Sequence, residues 1–329
     1  MAEIQHVSQL SPDGFSRFFF LADILRQAYE GTDTTVSILD VGGASEFLEQ
    51  QLKACGIRYA LTVLDVLPKP KGLESEYIQA DATKMTLEDG SFDVVVSTDV
   101  IEHIPQDLKR NFITECVRVS KHFCVIAGPF DTTGVNEAEV VVNDFNKGLF
   151  GVGQGWLEEH FQYGKPSIQL FESLLNELHV EYGHFGTQNL IMWLLNTHIN
   201  LIDAKLGLNT AAHKEINSFY GEHILRMNET VSPTYRHFFV AYKDLAFKER
   251  IDLRRYVASE IDYEAVSHYT GSLMGLFSSR IQELGEQNES IRSELGSSQA
   301  ERVAAAAQIA ELRKTVQEQA ETLTRFNSK

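Results

Sequence analysis

Four aspartates and two histidines stand at positions where their chemistry can be used. Asp40 closes the apolar run Val36–Val41 and precedes the small-residue turn Gly42-Gly43-Ala44-Ser45. Asp65 ends a second run, Leu61-Thr62-Val63-Leu64-Asp65, 25 residues further on. Asp81 follows a third, Tyr77-Ile78-Gln79-Ala80-Asp81-Ala82, and a fourth run, Phe92–Ser97, delivers Thr98-Asp99-Val100-Ile101-Glu102-His103-Ile104-Pro105. An acid at a strand tip can accept both hydroxyls of a ribose. One after the next strand can take a hydrogen bond from an adenine amino group, and a small-residue turn lets backbone and helix N-terminus approach a ligand closely. The alternative for the same acids is the capping of turns and helices. As a dinucleotide fingerprint the turn is poor, because G-x-G-x-x-G laid on Gly42 requires glycines where Ala44 and Phe47 stand. That weighs against a nicotinamide-dependent oxidoreductase. A ligand with cationic ammonium and sulfonium groups and no pyrophosphate suits Asp40 better, and S-adenosylmethionine (SAM) is such a ligand.

The four motifs, in this order from roughly Val36 to Pro129, closely resemble class I SAM-dependent methyltransferases. The likeness is to the type 11 branch, whose fourth strand runs into a D-V-x-E-H-x-P segment. The resemblance implies an α/β fold, a doubly wound Rossmann-like seven-stranded sheet with its last strand antiparallel. It also implies a cofactor site at Asp40, Gly42, Gly43, Asp65, Val66, Asp81, Ala82 and Thr98. Asp40 and Gly42 would line the methionine part, Asp65 the ribose, and Asp81 with Ala82 the adenine, while Thr98 and Asp99 border the methyl group. The first motif departs from the family at Ala44 and Glu46, where glycines are frequent, and Glu46 could crowd the carboxylate end of the cofactor. The Pro-Gly-Gly turn usual before the fifth strand is replaced by Ser120-Lys121-His122-Phe123. More loosely, Gly128-Pro129-Phe130-Asp131, Trp156-Leu157-Glu158-Glu159-His160 and Gly164-Lys165-Pro166 resemble methyltransferase domains found with glycosyltransferases in surface-polysaccharide assembly. This implies a sugar or glycan acceptor and glycosyltransferase partners, although fold likeness does not fix an acceptor.

The catalytic candidates are His103, Asp99 and His160. His103 has the pKa range of a general base for a hydroxyl acceptor, or else serves packing and contacts to a lid. His160 could face the acceptor or be a surface polar group. Trp156, Phe161 and Tyr163 could stack on a sugar ring or pack beneath the lid. No His/Asp/Glu group shows metal-ligand spacing along the chain, so no metal is expected.

Alternating apolar runs and helical segments demand a parallel sheet covered on both faces. The strands are Val36–Val41, Tyr59–Val66, Glu76–Gln79, Phe92–Ser97 and Phe123–Ala127, between helices such as Glu46–Cys55 and Gln106–Ser120. A helix is expected from Ser11-Pro12-Asp13 to about Tyr29. Residues 131–164 lack clear periodicity and read as a long irregular lid. After it come a helix (Ser167–Leu178), a strand (Val180–Gly186), helices Gln188–Lys205 and Ala212–Asn228, and a closing strand Tyr235–Tyr242. The expected domains are a methyltransferase domain over 1–245, a helical linker over 246–270 and a coiled coil over 271–329. In that last stretch Phe277, Ile281, Leu284, Asn288, Ile291, Leu295 and their successors recur in steps of four and three. A dimer or trimer follows from it, as does the possibility that the natural chain continues.

The chain has 329 residues, and its 29 Lys+Arg against 46 Asp+Glu leave a net charge of −17. That repels phosphate backbones, so nucleic acid is excluded as a partner. Three cysteines without paired spacing, no signal peptide and no membrane-spanning run point to a cytoplasmic protein. The rival from another class is a catalytically weak scaffold that docks partners through the coil.

Overall fold

A computed structural model describes residues 12–43, 46–207, 210–224, 230–257 and 260–327. Ala44 and the side chain of Glu46, where the first motif departs from its pattern, lie outside the described part. The strands are β1 (Val36–Val41), β2 (Tyr59–Asp65), β3 (Glu76–Gln79), β4 (Phe92–Thr98), β5 (Ser120–Pro129), β6 (Glu181–Asn189) and β7 (Thr234–Tyr242). The main helices are α1 (Pro12–Tyr29), α2 (Glu46–Ala54), α3 (Lys109–Val119), α4 (Val135–Phe150), α5 (Gly155–Tyr163), α6 (Ile168–Glu177), α7 (Leu190–Leu206) and α8 (Thr210–Phe219).

The seven strands form one sheet in the order β3-β2-β1-β4-β5-β7-β6. All neighbouring pairs are parallel up to β5, and β7 runs antiparallel to both β5 and β6. This is the doubly wound Rossmann-like sheet with one reversed strand. Its central strands are covered on both faces, which is why β1, β4 and β5 read as unbroken apolar runs rather than alternating ones. Val94, Val95, Val96, Phe123 and Val125 are fully buried. Strand order reverses between β1 and β4, and ligands of such sheets bind in the crevice outside the strand C-termini at that reversal. Asp40, Asp65 and Asp99 all come to this edge, tied by backbone bonds from Gly42 N to Leu64 O (2.7 Å), Ala80 N to Asp65 O (2.9 Å) and Asp99 N to Ala127 O (2.8 Å).

The largest departure from expectation lies between residues 131 and 164. The stretch read as irregular contains α4 and α5, the first ended by Gly151 in the left-handed conformation (φ 79°). The reason is chemical. The buried face of α4 carries Glu139, Asn143 and Asn146 beside Val135, Ala138 and Val142, so apolar periodicity is broken by polar groups that are satisfied inside. Val135, Ala138, Val142, Leu157, Leu190, Trp193, Leu201 and Tyr235 form their own apolar cluster, with Trp193 stacked on Tyr235 at 3.9 Å between ring centroids. The cap is therefore a packed element and not a loose loop.

The chain divides into two compact units, 1–273 and 274–329. The helix Tyr263–Asn327 begins in the first, where Ala265, Tyr269 and Leu273 are buried. In the second, Ile281, Ile291, Leu295, Ile309, Leu312 and Val316 are exposed. The side chains of Gln319, Leu323 and Phe326, the last positions of the expected seam, lie outside the described residues. Among the described residues no helix is long and apolar enough to cross a membrane.

Candidate active site

The tip of β1 is a tight cradle. Asp40 is buried, and a Cβ placed on Gly43 would lie 1.8 Å from its Oδ2; one on Gly42 (φ 74°) would lie 2.4 Å from Val100 Cγ2. Only glycine fits at either position: at Gly42 both space and the left-handed backbone exclude a side chain, and at Gly43 the Asp40 carboxylate does. Burial pushes the Asp40 carboxyl up to about 7, with Asp65 adding to the rise and Arg17 opposing it. A carboxyl balanced in this way is held ionised by any cationic group set against it. The cradle thus fits the ammonium or sulfonium of SAM. Beside it, Asp65 Oδ1 accepts the Leu67 N–H at 2.8 Å, and the next residue, Val66, is 66% exposed, an apolar surface at the tip of β2.

Asp81 reaches the same edge, but Thr83 takes up its carboxylate, with Oδ1 accepting Thr83 N (2.9 Å) and Thr83 Oγ1 (2.7 Å). Those bonds hold its pKa below the usual carboxylate range, helped by Lys84. Its side chain shapes its own turn and leaves Ala82 half-buried alongside. Thr98 ends β4, half-buried, and Asp99 follows in the left-handed region at φ 55°, uncommon for a residue with a side chain.

Asp99 is held by two guanidiniums. Arg236, 1% exposed on β7, donates Nε to Oδ1 (2.8 Å) and Nη2 to Oδ2 (2.6 Å), and Arg17 of α1 touches Oδ2. Arg236 also donates to Gln188 (2.9 Å) and Asp13 (3.2 Å). Burial raises the Asp13 carboxyl, but Arg236 and Arg17 outweigh it and hold Asp13 well below the usual range. With both oxygens paired to guanidiniums, Asp99 is placed to orient its neighbours. Sequence reasoning missed Arg17 and Arg236. For Arg236 a signal existed, a lone charge inside the apolar strand Tyr235–Tyr242, where charges occur only with partners. For Arg17, one arginine on a helix, there was none.

Next to this network opens a cavity of about 410 Å³, lined among others by Arg17, Asp99, Glu102, His103, Trp156, His160 and Trp193. Glu102 and His103 sit on a 3₁₀ turn (Ile101–His103) after β4. That turn is pinned by buried Lys109, whose Nζ donates to the carbonyls of Ile101 and Ile104, both at 2.6 Å. Burial lowers Lys109 to about 8, with Glu102 opposing. His160 arrives from α5, so the structure brings together two histidines 57 residues apart in sequence, with ring centroids 4.9 Å apart. His160 Nδ1 donates to buried Glu139 (2.8 Å), which also accepts Lys165 Nζ (2.5 Å) and the Tyr235 hydroxyl (2.9 Å). Burial raises the Glu139 carboxyl, while His160 and Lys165 more than compensate, so it stays ionised. His103 Nδ1 meets Glu159 at 2.6 Å. Burial and the neighbouring His160 lower the His103 pKa against the pull of Glu159. Each glutamate accepts the Nδ1–H of its histidine, and the lowered pKa of His103 favours its neutral ring, with Nε2 as an acceptor. Burial, and then Asp99, raise Glu102 well above the usual range. Trp156 contacts His160 edge-on at 5.3 Å. Phe161 is exposed and Tyr163 half-buried, and neither is among the residues lining this cavity.

Comparison with known proteins bears on the first half of this site. An uncharacterized methyltransferase of Mycobacterium sp. (strain JLS) is 30% identical over 125 residues, covering 33% of this chain and 47% of that protein. One from Mycolicibacterium gilvum (strain PYR-GCK) is 27% identical over 141 residues, covering 37% and 54%. The chain thus spans about half the length of the curated relatives it matches. Among solved structures, it is similar to a SAM-dependent methyltransferase from Archaeoglobus fulgidus (15% identity, 69% of this chain and 94% of that one, TM-score 0.41). It is also similar to phosphoethanolamine N-methyltransferase 2 of Haemonchus contortus (15% identity, 68% and 52%, TM-score 0.43). Residues 39–125, which carry the tips of β1 to β4, match the family described as a methyltransferase domain.

Proposed function

We propose that this chain is a SAM-dependent methyltransferase that O-methylates a small hydroxylated acceptor, a sugar or glycan hydroxyl. The observation that carries the reading is the cradle at the β1–β4 reversal, where Gly42 and Gly43 wrap a buried acid and Asp65 stands on the next strand tip. SAM supplies an electrophilic methyl on a sulfonium, and S-adenosylhomocysteine remains after transfer. Asp40, Gly42 and Gly43 hold the methionine end, Asp65 the ribose beside Val66, and the turn at Asp81 and Ala82 the adenine. Thr98 borders the reacting methyl. Arg17, whose Nε is buried without a partner and whose charge acts on Asp40, takes the amino-acid carboxylate. Asp99, fixed by Arg236, positions the edge of β4.

The neighbouring cavity takes the acceptor. Its polar lining (Gln154, Thr197, Asn200) with Trp156 and Trp193 suits a polyhydroxylated ring that stacks on an aromatic face. His103 Nε2 accepts the hydroxyl proton during attack, with His160 beside it, and the packed cap excludes water from the aligned reactants. Surface-polysaccharide assembly with glycosyltransferase partners is the setting this acceptor implies. The three cysteines are unpaired, in keeping with the reducing cytoplasm, where we place the reaction. The exposed apolar residues of the C-terminal helix form a coiled-coil seam that makes the protein a dimer or trimer. Light scattering of the full chain at micromolar concentration reads this directly, and a monomer mass contradicts it.

The test of activity is release of S-adenosylhomocysteine from SAM in the presence of a panel of free and nucleotide-linked sugars. Acceptor-dependent release, lost by about a hundredfold in His103→Gln, is expected. SAM binding without release for any hydroxylated acceptor contradicts the acceptor assignment.

A further inference from the structure

We propose that Glu102, His103 and His160 form a binding site for one divalent first-row transition cation. One donor atom from each lies within 4.8 Å of the others. Two of these groups are buried polar side chains without a partner: Glu102, 1% exposed, has a lone Oε2, and His160, 3% exposed, a lone Nε2. Such atoms are rare in folded proteins and call for a bound species. A proton on Glu102 would neutralise the acid but leave His160 Nε2 without a donor. A cation satisfies both.

The surroundings are those of a ligand set. Each histidine is turned by a glutamate on its Nδ1, Glu159 for His103 and Glu139 for His160. Outer carboxylates of this kind fix the tautomer and make the imidazole more basic. Gly128 leaves room for the acid, since a Cβ there would lie 2.8 Å from Glu102 Oε2. Metal bonds of about 2.1 Å need the three donors to draw in from their 4.8 Å spread, and half-buried His103 is the least enclosed of the three. Two imidazoles and one carboxylate suit zinc, iron, cobalt, nickel or manganese better than calcium, which prefers oxygen alone. All three residues line the 410 Å³ cavity, so open coordination positions face it. Resting on the methyl-transfer reading, a cation here would bind the acceptor oxygen and ease loss of its proton, and with His103 Nε2 engaged by the metal it would take over from that nitrogen as the aid to deprotonation.

The experiment uses the full chain stripped with a chelator, titrated calorimetrically with Zn²⁺ and followed by visible absorption with Co²⁺. One cation per chain at micromolar affinity or tighter is expected, with Co²⁺ bands in the visible range. Glu102→Gln and His103→Gln should each weaken binding by about a hundredfold, Glu159→Gln by about tenfold, and exposed His179→Gln should change nothing. His103 is half-buried, so His103→Gln serves if Glu102→Gln fails to fold, and circular dichroism reports which has happened. No binding at micromolar concentration, or binding that survives both ligand substitutions, overturns the site. S-adenosylhomocysteine titrations in parallel keep the readings apart: cation binding without cofactor binding leaves the metal site standing and removes the methyltransferase assignment.

Discussion

The two halves of the site are built on different terms. The half proposed for the cofactor comes from β1, β2, β3 and β4 within residues 39–125, and its geometry is set by local backbone: a glycine turn, an Asx turn at Asp65 and another at Asp81. The half proposed for the acceptor draws on α1, α4, α5, β4, β6 and β7 and is set by long-range polar contacts. Asp13, Arg17, Asp99, Gln188 and Arg236 form one network, and Glu139, His160, Lys165 and Tyr235 form another. The difference teaches where substitutions should act. Changes in the first half should remove the cofactor locally, while changes in the second, Arg17 apart, should act through stability or turnover.

The largest expected effect is in the second half. Arg236→Met leaves Asp99 and Asp13 as carboxylates without their principal cation and costs about 3–5 kcal/mol, a fall of roughly 10 °C in melting temperature. A scan unchanged within 2 °C, taking about 2 °C as less than 1 kcal/mol, would show that the network holds nothing together. Next, Gly43→Ala sets a methyl group on the Asp40 carboxylate. S-adenosylhomocysteine affinity should fall by about a hundredfold, equivalent to about 2.7 kcal/mol. Equal affinity by calorimetry would break the cradle assignment. Glu139→Gln should leave cofactor affinity alone and slow turnover by about tenfold, because the ionised acceptor that orients His160 is replaced by a neutral amide that must also face Lys165. A loss of cofactor affinity there would erase the division between the halves.

The smallest effect is in pH. Asp40 is raised to about 7 in the free protein, and a cationic ligand needs it ionised. Below that pH the proton competes, so S-adenosylhomocysteine should bind several-fold more weakly at pH 6 than at pH 8, with the dependence lost in Asp40→Asn. The free protein gains the opposite trend. An acid raised in the folded state favours folding at low pH, and that contribution is lost as pH rises from about 4 to about 7. Flat affinity in the wild-type chain contradicts the placement of a cation at Asp40.

The same contrast decides what could be read from the sequence. The sheet and its strand tips were legible because a doubly buried strand must be continuously apolar, and an acid ending such a run is conspicuous at Asp40, Asp65 and Asp99. Helices α4 and α5 were not, because Glu139, Asn143 and Asn146 interrupt the apolar face and are satisfied by partners beyond α4 itself, Val152, Gln154 and His160. The pairing of Glu102 and His103 with His160 was invisible for the same reason, since the approach of α5 to the turn after β4 is a property of the fold and not of the sequence. Asp81 was conspicuous as well, yet its carboxylate serves Thr83, which spacing cannot distinguish from ligand binding.

The most direct measurement is a set of three calorimetric titrations with S-adenosylhomocysteine, into the wild-type chain, Asp65→Ala and His103→Gln. The account predicts micromolar binding to the wild type, a loss of about a hundredfold in Asp65→Ala, where hydrogen bonds to a charged acceptor are removed, and affinity within about twofold in His103→Gln. Absence of binding to the wild type, or an Asp65→Ala variant that binds equally well, would contradict it.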